Sequence, residues 1–133
     1  MDPIEKIYKE SKTIAVVGAS DNPKRPSYDV AKYLQSQGFR IIPVNPALKE
    51  LFGEKSYPDL LSIPEPVDVV DVFRHPEAVP EIVEQAIAKQ AKVVWMQPSA
   101  ENMQAAERAM EAGLEVIMGV CMMREHRALK QKA

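Results

Sequence analysis

The sequence predicts an α/β fold: a single doubly wound domain over residues 1–133, with a five-stranded parallel sheet and helices on both faces. Short, continuous apolar runs rich in Val and Ile alternate along the chain with longer segments of helical apolar spacing. Strands that alternate with helices in this way require right-handed crossovers, and therefore a parallel sheet. Neither a linker nor a repeat nor a low-complexity tract divides the sequence, so we expect one domain.

Five segments have the composition of buried strands. Each is mostly β-branched and apolar, and each is followed by turn-forming or polar residues. Pro43 lacks a backbone N–H and predicts a strand end or a bulge in the second of them. We expect the strand order 3-2-1-4-5, counted along the chain. The five segments are residues 13–17, 40–44, 67–73, 92–96 and 114–118.

Three segments between the strands show apolar residues at helical spacing. They are residues 27–37, 76–89 and 101–112; the first ends at Gly38 and the last at Gly113, which suit a helix C-terminus. A weaker helix is expected before the first strand, another within residues 56–61 and a last one after Cys121.

The composition carries no signature of nucleic-acid or membrane binding. Apolar residues make up 46% and charged residues 27%, and the formal net charge of −2 offers no positive field to recruit a polyanion. No apolar run approaches the roughly 20 residues that cross a bilayer. One cysteine, Cys121, excludes an intramolecular disulfide. With a charged N-terminus, these features predict a cytoplasmic protein.

The loop after the first strand is the strongest candidate for an anion site. Gly18 permits a tight turn with close backbone approach, and Ser20 offers a hydroxyl. Lys24 and Arg25 place positive charge beside the next helix, which Ser27 would cap and whose N–H groups favour an anion. Alternatively, Gly18 only forms the turn and the two cations are solvated. The place of the loop on a central strand favours phosphate binding.

This loop does not carry the dinucleotide fingerprint G-x-G-x-x-G. The further glycines are missing, and the second strand ends in Val44-Asn45-Pro46, where an Asp or Glu would bind the ribose of NAD. NAD binding is therefore disfavoured and stays an alternative. Asn45 offers an amide at this strand end, and Pro46 fixes the turn.

Two further strand ends carry ligand candidates. Arg74 could pair with a phosphate or with a carboxylate on a helix surface, and Phe73 could flank a ligand or belong to the core. Trp95 lies in an apolar run and is expected in the core. Gln97 and Ser99, which follow it, are the better ligand candidates.

No catalytic or metal-binding set is apparent in the sequence. The two histidines, His75 and His126, lack the spacing of a metal site, and Cys121 is expected to be a buried thiol rather than a nucleophile. Asp68 and Asp71 lie three residues apart along a strand, so we expect them on opposite faces and not as an acid–base pair. The sequence therefore predicts binding rather than a reaction.

Together, these motifs resemble a known family, the small stand-alone CoA-binding proteins, which are similar to the CoA-binding N-terminal domain of the succinyl-CoA synthetase α subunit. The resemblance extends over about residues 7–129. It is carried by residues 13–20, Arg25-Pro26-Ser27, Val44-Asn45-Pro46, Phe52-Gly53, residues 66–74 and residues 93–97.

The resemblance implies a Rossmann-like fold with coenzyme A lying across the strand ends. It implies a non-catalytic module that binds CoA or an acyl-CoA, with a homo-oligomer or an acyl-CoA enzyme as a possible partner. Alternatives are an enzyme that acts on a CoA thioester or another nucleotide, assisted by His75 or Cys121, and an NAD(P)-type regulatory protein. The implied pyrophosphate residues are Gly18, Ala19 and Ser20. Further implied residues are Asn22, Lys24, Arg25 and Ser27 in the first loop, Val44, Asn45 and Pro46 after the second strand, and Phe73 and Arg74 after the third.

Two positions depart from the family pattern. Ser99 stands where a glycine is common, and Gly119-Val120 replaces an Asp-Arg pair before the cysteine. The first changes the backbone freedom beside the expected ligand, and the second removes a charge pair near the fifth strand. The phosphorylated histidine of the synthetase lies in a separate domain, so the resemblance does not imply ligase activity.

Overall fold

The five predicted strands form one parallel sheet in the computed structural model, which describes residues 2–132. The predicted α/β, Rossmann-like fold is thereby confirmed. A short antiparallel hairpin, absent from the sequence expectation, follows the second main strand. In chain order the elements are α1 (Pro3–Glu10), β1 (Thr13–Val17), α2 (Pro26–Ser36), β2 (Arg40–Val44), β3 (Glu50–Leu51), β4 (Glu54–Lys55), β5 (Val69–Val72), a 3-10 turn (Pro76–Ala78), α3 (Val79–Ala88), β6 (Val93–Met96), α4 (Met103–Glu111), β7 (Glu115–Met118) and α5 (Met122–Lys132).

The order of the strands differs from the predicted one. The sheet runs β2-β1-β5-β6-β7, so β5 pairs with β1 and not with β2, and the prediction 3-2-1-4-5 was wrong. Pro43 supplies the physical reason. The carbonyl of its neighbour Val44 accepts from Gly18 on the β1 side, and successive residues direct their backbone groups to alternate sides. The position at which Pro43 lacks an N–H therefore faces away from β1, where a central strand would need a donor for the next strand. The winding of the sheet therefore reverses between β1 and β5.

Two local predictions also fail. The segment 56–61 is not helical, because Tyr57 is held extended: its N–H donates to the carbonyl of Pro43 (3.0 Å) and its own carbonyl accepts from Asn45 (2.9 Å). Ser27 does not cap α2. The helix begins one residue earlier, with Arg25 at the N-cap, and Ser27 is buried in the first turn.

Each face of the sheet is covered by its own apolar core. One core lies under α3 and α4, the other under α1, α2 and α5. Trp95 is fully buried, as predicted. Burying each such side chain contributes about 1.5–3 kcal/mol, which holds the strand ends in fixed relative positions. Fully buried side chains of the second core include Ile14, Val16, Leu34, Trp95 and Met122.

No helix within residues 2–132 combines the length and the apolar character needed to cross a membrane.

Candidate functional site

An open cleft of about 910 Å³ lies at the carboxyl ends of β1 and β5, where the winding reverses. The loop after β1, the loop after β5 and the loop after β6 line it, together with the first turn of α2 and the beginning of α5. Its volume falls within the roughly 300–1,000 Å³ usual for small-molecule sites.

Gly18 lies where the ends of β1 and β5 come into close contact beneath this cleft. Its φ is +91°, and a Cβ there would lie 2.2 Å from the carbonyl oxygen of Phe73 and 3.3 Å from Cδ of Arg74. The N–H of Gly18 donates to the carbonyl of Val44 (3.1 Å), and that of Phe73 donates to Val17 (2.8 Å). Only glycine fits such a junction, and Gly18 itself lines the cleft.

Asn45 ties the loop after β2 to the loop after β1. Its Nδ2 donates to the carbonyl of Ala19 (2.7 Å), and its Oδ1 accepts from the N–H of Ala47 (2.8 Å). Both ends of the amide are therefore engaged within the protein. Asn45 lines the cleft but acts there by holding the loop.

Ser20 and Asn22 shape the first loop in the same way. The Oγ of Ser20 accepts from the N–H of Asn22, and the Oδ1 of Asn22 accepts from the N–H of Lys24, both at 3.0 Å. These successive turns direct the chain toward α2. The hydroxyl hydrogen of Ser20 stays available to donate, since its oxygen serves here only as an acceptor.

The first turn of α2 meets the cleft without a side-chain cap. Arg25 occupies the N-cap and makes no capping hydrogen bond, and Pro26 follows at the first helical position. Pro26 has no N–H, and that of Tyr28 donates to the carbonyl of Arg25 (3.0 Å), so this turn presents to the cleft mainly the positive end of the helix dipole, without a side-chain cap. Asp29 is the one carboxylate among the cleft residues within 2–132.

Four Lys and Arg side chains line the same cleft. The excess over Asp29 gives a local positive charge in a chain whose net charge is −2. Such a site suits a ligand with several phosphates. The four are Lys24, Arg25, Arg74 and Arg124.

Buried hydrogen bonds fix the beginning of α5 over the cleft. Nε1 of Trp95 donates to the carbonyl of Val120 (2.9 Å), and the hydroxyl of Tyr8 donates to that of Met122. The N–H of Met122 donates to Oε1 of Gln97 (3.1 Å). The core thus positions the cleft-lining residues around this helix start, which are Cys121, Met123 and Arg124.

A buried carboxyl group lies one layer below the cleft. Asp71 is fully buried in register with Val16 and Trp95, two residues before the cleft-lining Gly18, Phe73 and Gln97 on each strand. Neither of its oxygens has a hydrogen-bond partner among residues 2–132. Burial raises the pKa of this carboxyl well above its ordinary value, because the charged form would lose its hydration there.

Most residues expected at the site surround the cleft, and the others divide between a neighbouring cavity and the outside. Ten line the 910 Å³ cleft. Val44 and Pro46 line instead a cavity of about 360 Å³ on the other side of Gly18 and Arg74. Asn22 lines neither. The ten are Gly18, Ala19, Ser20, Lys24, Arg25, Ser27, Asn45, Phe73, Arg74 and Gln97.

The sequence expectation missed the contribution of α5. A last helix was predicted, but nothing in its own residues indicated that Met123 and Arg124 return to the cleft. Cys121 is half-buried and lines the cleft, so the expectation of a buried thiol was wrong. Ser99 also lines the cleft, at a φ of +81°, a backbone conformation that glycine adopts without strain.

Comparison with known proteins identifies the family. The model of the CoA-binding domain matches residues 12–127. The chain belongs to the CoA-binding domain family. The resemblance stated from the sequence is thereby confirmed, since this match includes every strand and every cleft residue.

Relatives fall into two groups. The uncharacterised protein YneT of Bacillus subtilis is 41% identical over 127 residues, 96% of this chain and 94% of that protein. A solved structure of a hypothetical protein from Pyrococcus horikoshii is 47% identical with a TM-score of 0.93, covering 96% of this chain and 89% of that one. An ADP-forming acetate–CoA ligase of Archaeoglobus fulgidus is 34% identical over 83 residues, 61% of this chain but 12% of that enzyme.

Proposed function

We propose that this CoA-binding domain binds coenzyme A or an acyl-CoA in the 910 Å³ cleft and catalyses no reaction there. The observation that carries the proposal is the convergence of four cationic side chains and an uncapped helix start on one cleft with a single carboxylate. Coenzyme A carries a pyrophosphate and a 3′-phosphate, so it matches a site with several separated cationic donors. The compartment we propose is the cytoplasm.

The pyrophosphate fits the junction at Gly18. Gly18 places no side chain at this junction, and the positive end of the α2 dipole favours an anion beside it. Arg74 extends from the neighbouring strand end as a bidentate donor. Lys24 and Arg25 then remain for the 3′-phosphate.

The less polar parts of the ligand have an apolar wall. Phe73 is half-buried against the core under α2 and α5 and lines the cleft beside Met123. Aromatic and thioether side chains suit a pantetheine arm, because both pack against extended chains without a fixed partner geometry. Gln97, in the loop after β6, also lines the cleft; its Oε1 accepts from the N–H of Met122, which leaves its Nε2 group to donate to a ligand.

NAD(P) is the weaker ligand candidate on structural grounds. The ribose diol of NAD needs a carboxylate at the end of β2, and Asn45 stands there with both ends of its amide already bonded.

Calorimetric titration with CoA, dephospho-CoA and NAD tests the proposal. We expect CoA to bind, dephospho-CoA to bind about tenfold or more weakly, and NAD to give no measurable heat. Arg74→Ala should weaken CoA binding about 10- to 100-fold, because a charge-assisted hydrogen bond contributes about 1.5–3 kcal/mol.

Arg108→Ala is the matched control. Arg108 lies on α4 and pairs with Glu84, so this variant removes one arginine charge away from the cleft. Its CoA affinity should equal that of the parent chain. Absence of heat with CoA at millimolar concentration, or equal losses in both variants, would contradict the proposal.

A second candidate, an enzyme acting on a CoA thioester, is favoured by one observation: His75 and Cys121 both line the cleft. Hydrolysis of several acyl-CoA substrates should then fall in Cys121→Ser. If the parent chain and Cys121→Ser hydrolysed acyl-CoA at indistinguishable rates, this candidate would be rejected and the binding proposal would remain intact.

A further inference from the structure

The outer edge of β7 presents unpaired backbone groups. β7 is the last strand of the sheet, and its inner edge bonds to β6 through residues such as Glu115, whose N–H donates to Lys92 (3.0 Å). Successive residues of a strand direct their N–H and C=O groups to alternate sides. The groups of Val116 and Met118 therefore point away from the sheet, and no other strand within residues 2–132 pairs with them.

The opposite edge of the same sheet is protected. There Pro43 removes one outward N–H, and its outward carbonyl is bonded by the N–H of Tyr57. Natural sheets protect edges with proline, charge or a covering segment. β7 has none of these along its centre: Val116, Ile117 and Met118 are uncharged and half-buried, and Glu115 stands at the beginning of the strand.

An exposed apolar stripe on α4 continues this edge. Met103 and Met110 are seven residues apart, hence on one side of the helix, and they are 62% and 53% exposed. Arg108 is rotated about 200° from Met110 and points to α3, where it bonds Glu84. Because α4 packs against β7, the methionines lie on the side of α4 that faces the open edge.

We propose that this edge pairs antiparallel with β7 of a second copy of the chain about a two-fold axis. The open backbone groups require an extended strand as the occupant, and a two-fold axis brings identical edges together antiparallel. A strand pair alone buries too little area for a stable dimer, which needs about 1,200–2,000 Å². The methionine stripes of both copies supply the additional apolar contact.

The charges on β7 are compatible with a second copy as the occupant. With Ile117 on the axis, Val116 of one copy faces Met118 of the other, and each Glu115 faces Gly119. The two Glu115 carboxylates then lie about 13 Å apart along the strands, beyond the Debye length of about 8–10 Å. Self-pairing therefore brings no like charges into contact across the strand pair.

Sedimentation velocity over about a hundredfold range of protein concentration tests this proposal. The parent chain should form a dimer, and Met103→Lys/Met110→Lys should be monomeric, because four lysines would meet at the interface. Val116→Pro should also be monomeric, since proline removes an outward N–H while the β6 ladder is kept. Circular dichroism establishes that each variant folds.

Leu61→Lys is the matched control, because Leu61 is equally exposed (57%) but lies in the segment between β4 and β5. It should remain dimeric. Mixing the double lysine variant with Met103→Glu/Met110→Glu should restore a dimer through opposite charges. A monomeric parent chain, or a dimer that persists in both edge variants, would overturn the proposal; CoA binding is measured separately and does not depend on it.

Discussion

At Asp71 the chain places a carboxyl group out of reach of water, between Val16 and Trp95 of the neighbouring strands. Its two oxygens lack partners among residues 2–132, and burial raises the pKa of the group well above its ordinary value. A folded-state pKa above the unfolded one, about 3.9, means that the folded protein binds the extra proton. The contribution of this carboxyl to the free energy of unfolding is therefore fully present below about pH 4 and is lost as the pH rises toward the folded-state pKa.

Asp71→Asn should consequently stabilise the protein increasingly with pH. At pH 4 the parent and variant should be similarly stable, and at pH 8 the variant should be the more stable one, because the parent has to take up a proton on folding and the amide does not. Urea denaturation at several pH values measures this difference. Other titrating groups, such as His126, are common to both proteins and cancel.

Asp68 on the same segment of chain supplies a control of opposite sign. Burial acts to raise the pKa of its carboxyl, but the N–H groups of Lys12 and Thr13 and the charge of Lys92 outweigh burial and lower it. Asp68→Asn should therefore destabilise the protein at neutral pH, and the difference should shrink as the pH falls. If both variants shifted stability in the same direction at pH 8, the assignment of Asp71 would be wrong.

At the scale of elements, one asparagine determines how two strand ends meet. Asn45→Ala removes the hydrogen bonds to Ala19 and Ala47 and should destabilise the protein by about 1–3 kcal/mol. It should also weaken CoA binding several-fold, because the loop that carries Ser20 loses its tie to β2. Thermal unfolding and calorimetric titration measure the two effects.

Asn102→Ala is the control that separates a loss of stability from a loss of CoA affinity. It also makes two hydrogen bonds, to the carbonyl of Pro76 (2.8 Å) and from the N–H of Ala105 (3.0 Å), but it joins the 3-10 turn to α4 outside the cleft. Asn102→Ala should lower stability by a similar amount and leave CoA affinity unchanged. Equal losses of affinity in the two variants would show that the Asn45 effect reflects stability alone.

The elements were predictable because their signals are local. Runs of β-branched residues such as 13–17 allow few alternatives, and α2 and α4 were found within two residues from apolar spacing. The hairpin β3–β4 was missed because its two-residue strands are too short to show a pattern. Segment 56–61 was misassigned because its extended shape depends on bonds to Pro43 and Asn45 that are distant in sequence.

The arrangement of the elements was less predictable. Pro43 carries evidence that β2 is an edge strand, but its missing N–H also fits the predicted strand end or bulge. Of the residues predicted in the loops after β1 and β5, all but Asn22 line the cleft, because their strands end there in any parallel arrangement. Arg124 could not be predicted at the cleft, because its position depends on the hydrogen bonds by which Trp95, Tyr8 and Gln97 hold the beginning of α5.

At the scale of the whole molecule, the distribution of charge matters more than its sum. The chain carries 17 Lys and Arg against 19 Asp and Glu, and the sum alone indicates no anionic ligand. The fold nevertheless gathers four cations and one carboxylate around the cleft. A phosphate ligand therefore meets a positive surface on a slightly acidic protein, and attraction of this kind is confined to about a Debye length.

Binding of CoA should accordingly weaken as the salt concentration rises, whereas the fold should be unaffected. Raising the salt concentration from about 0.05 M to 0.5 M shortens the Debye length several-fold, and we expect CoA affinity to fall about tenfold in calorimetric titrations. Pantetheine carries the same arm without phosphates and should bind weakly but with no salt dependence, which separates the apolar wall at Phe73 from the cationic groups. Arg74→Ala should show a shallower salt dependence than Arg108→Ala, because only the first variant removes a charge from the cleft. A salt-independent affinity for CoA would instead mean that the cations lining the cleft are solvated side chains that do not contact the ligand.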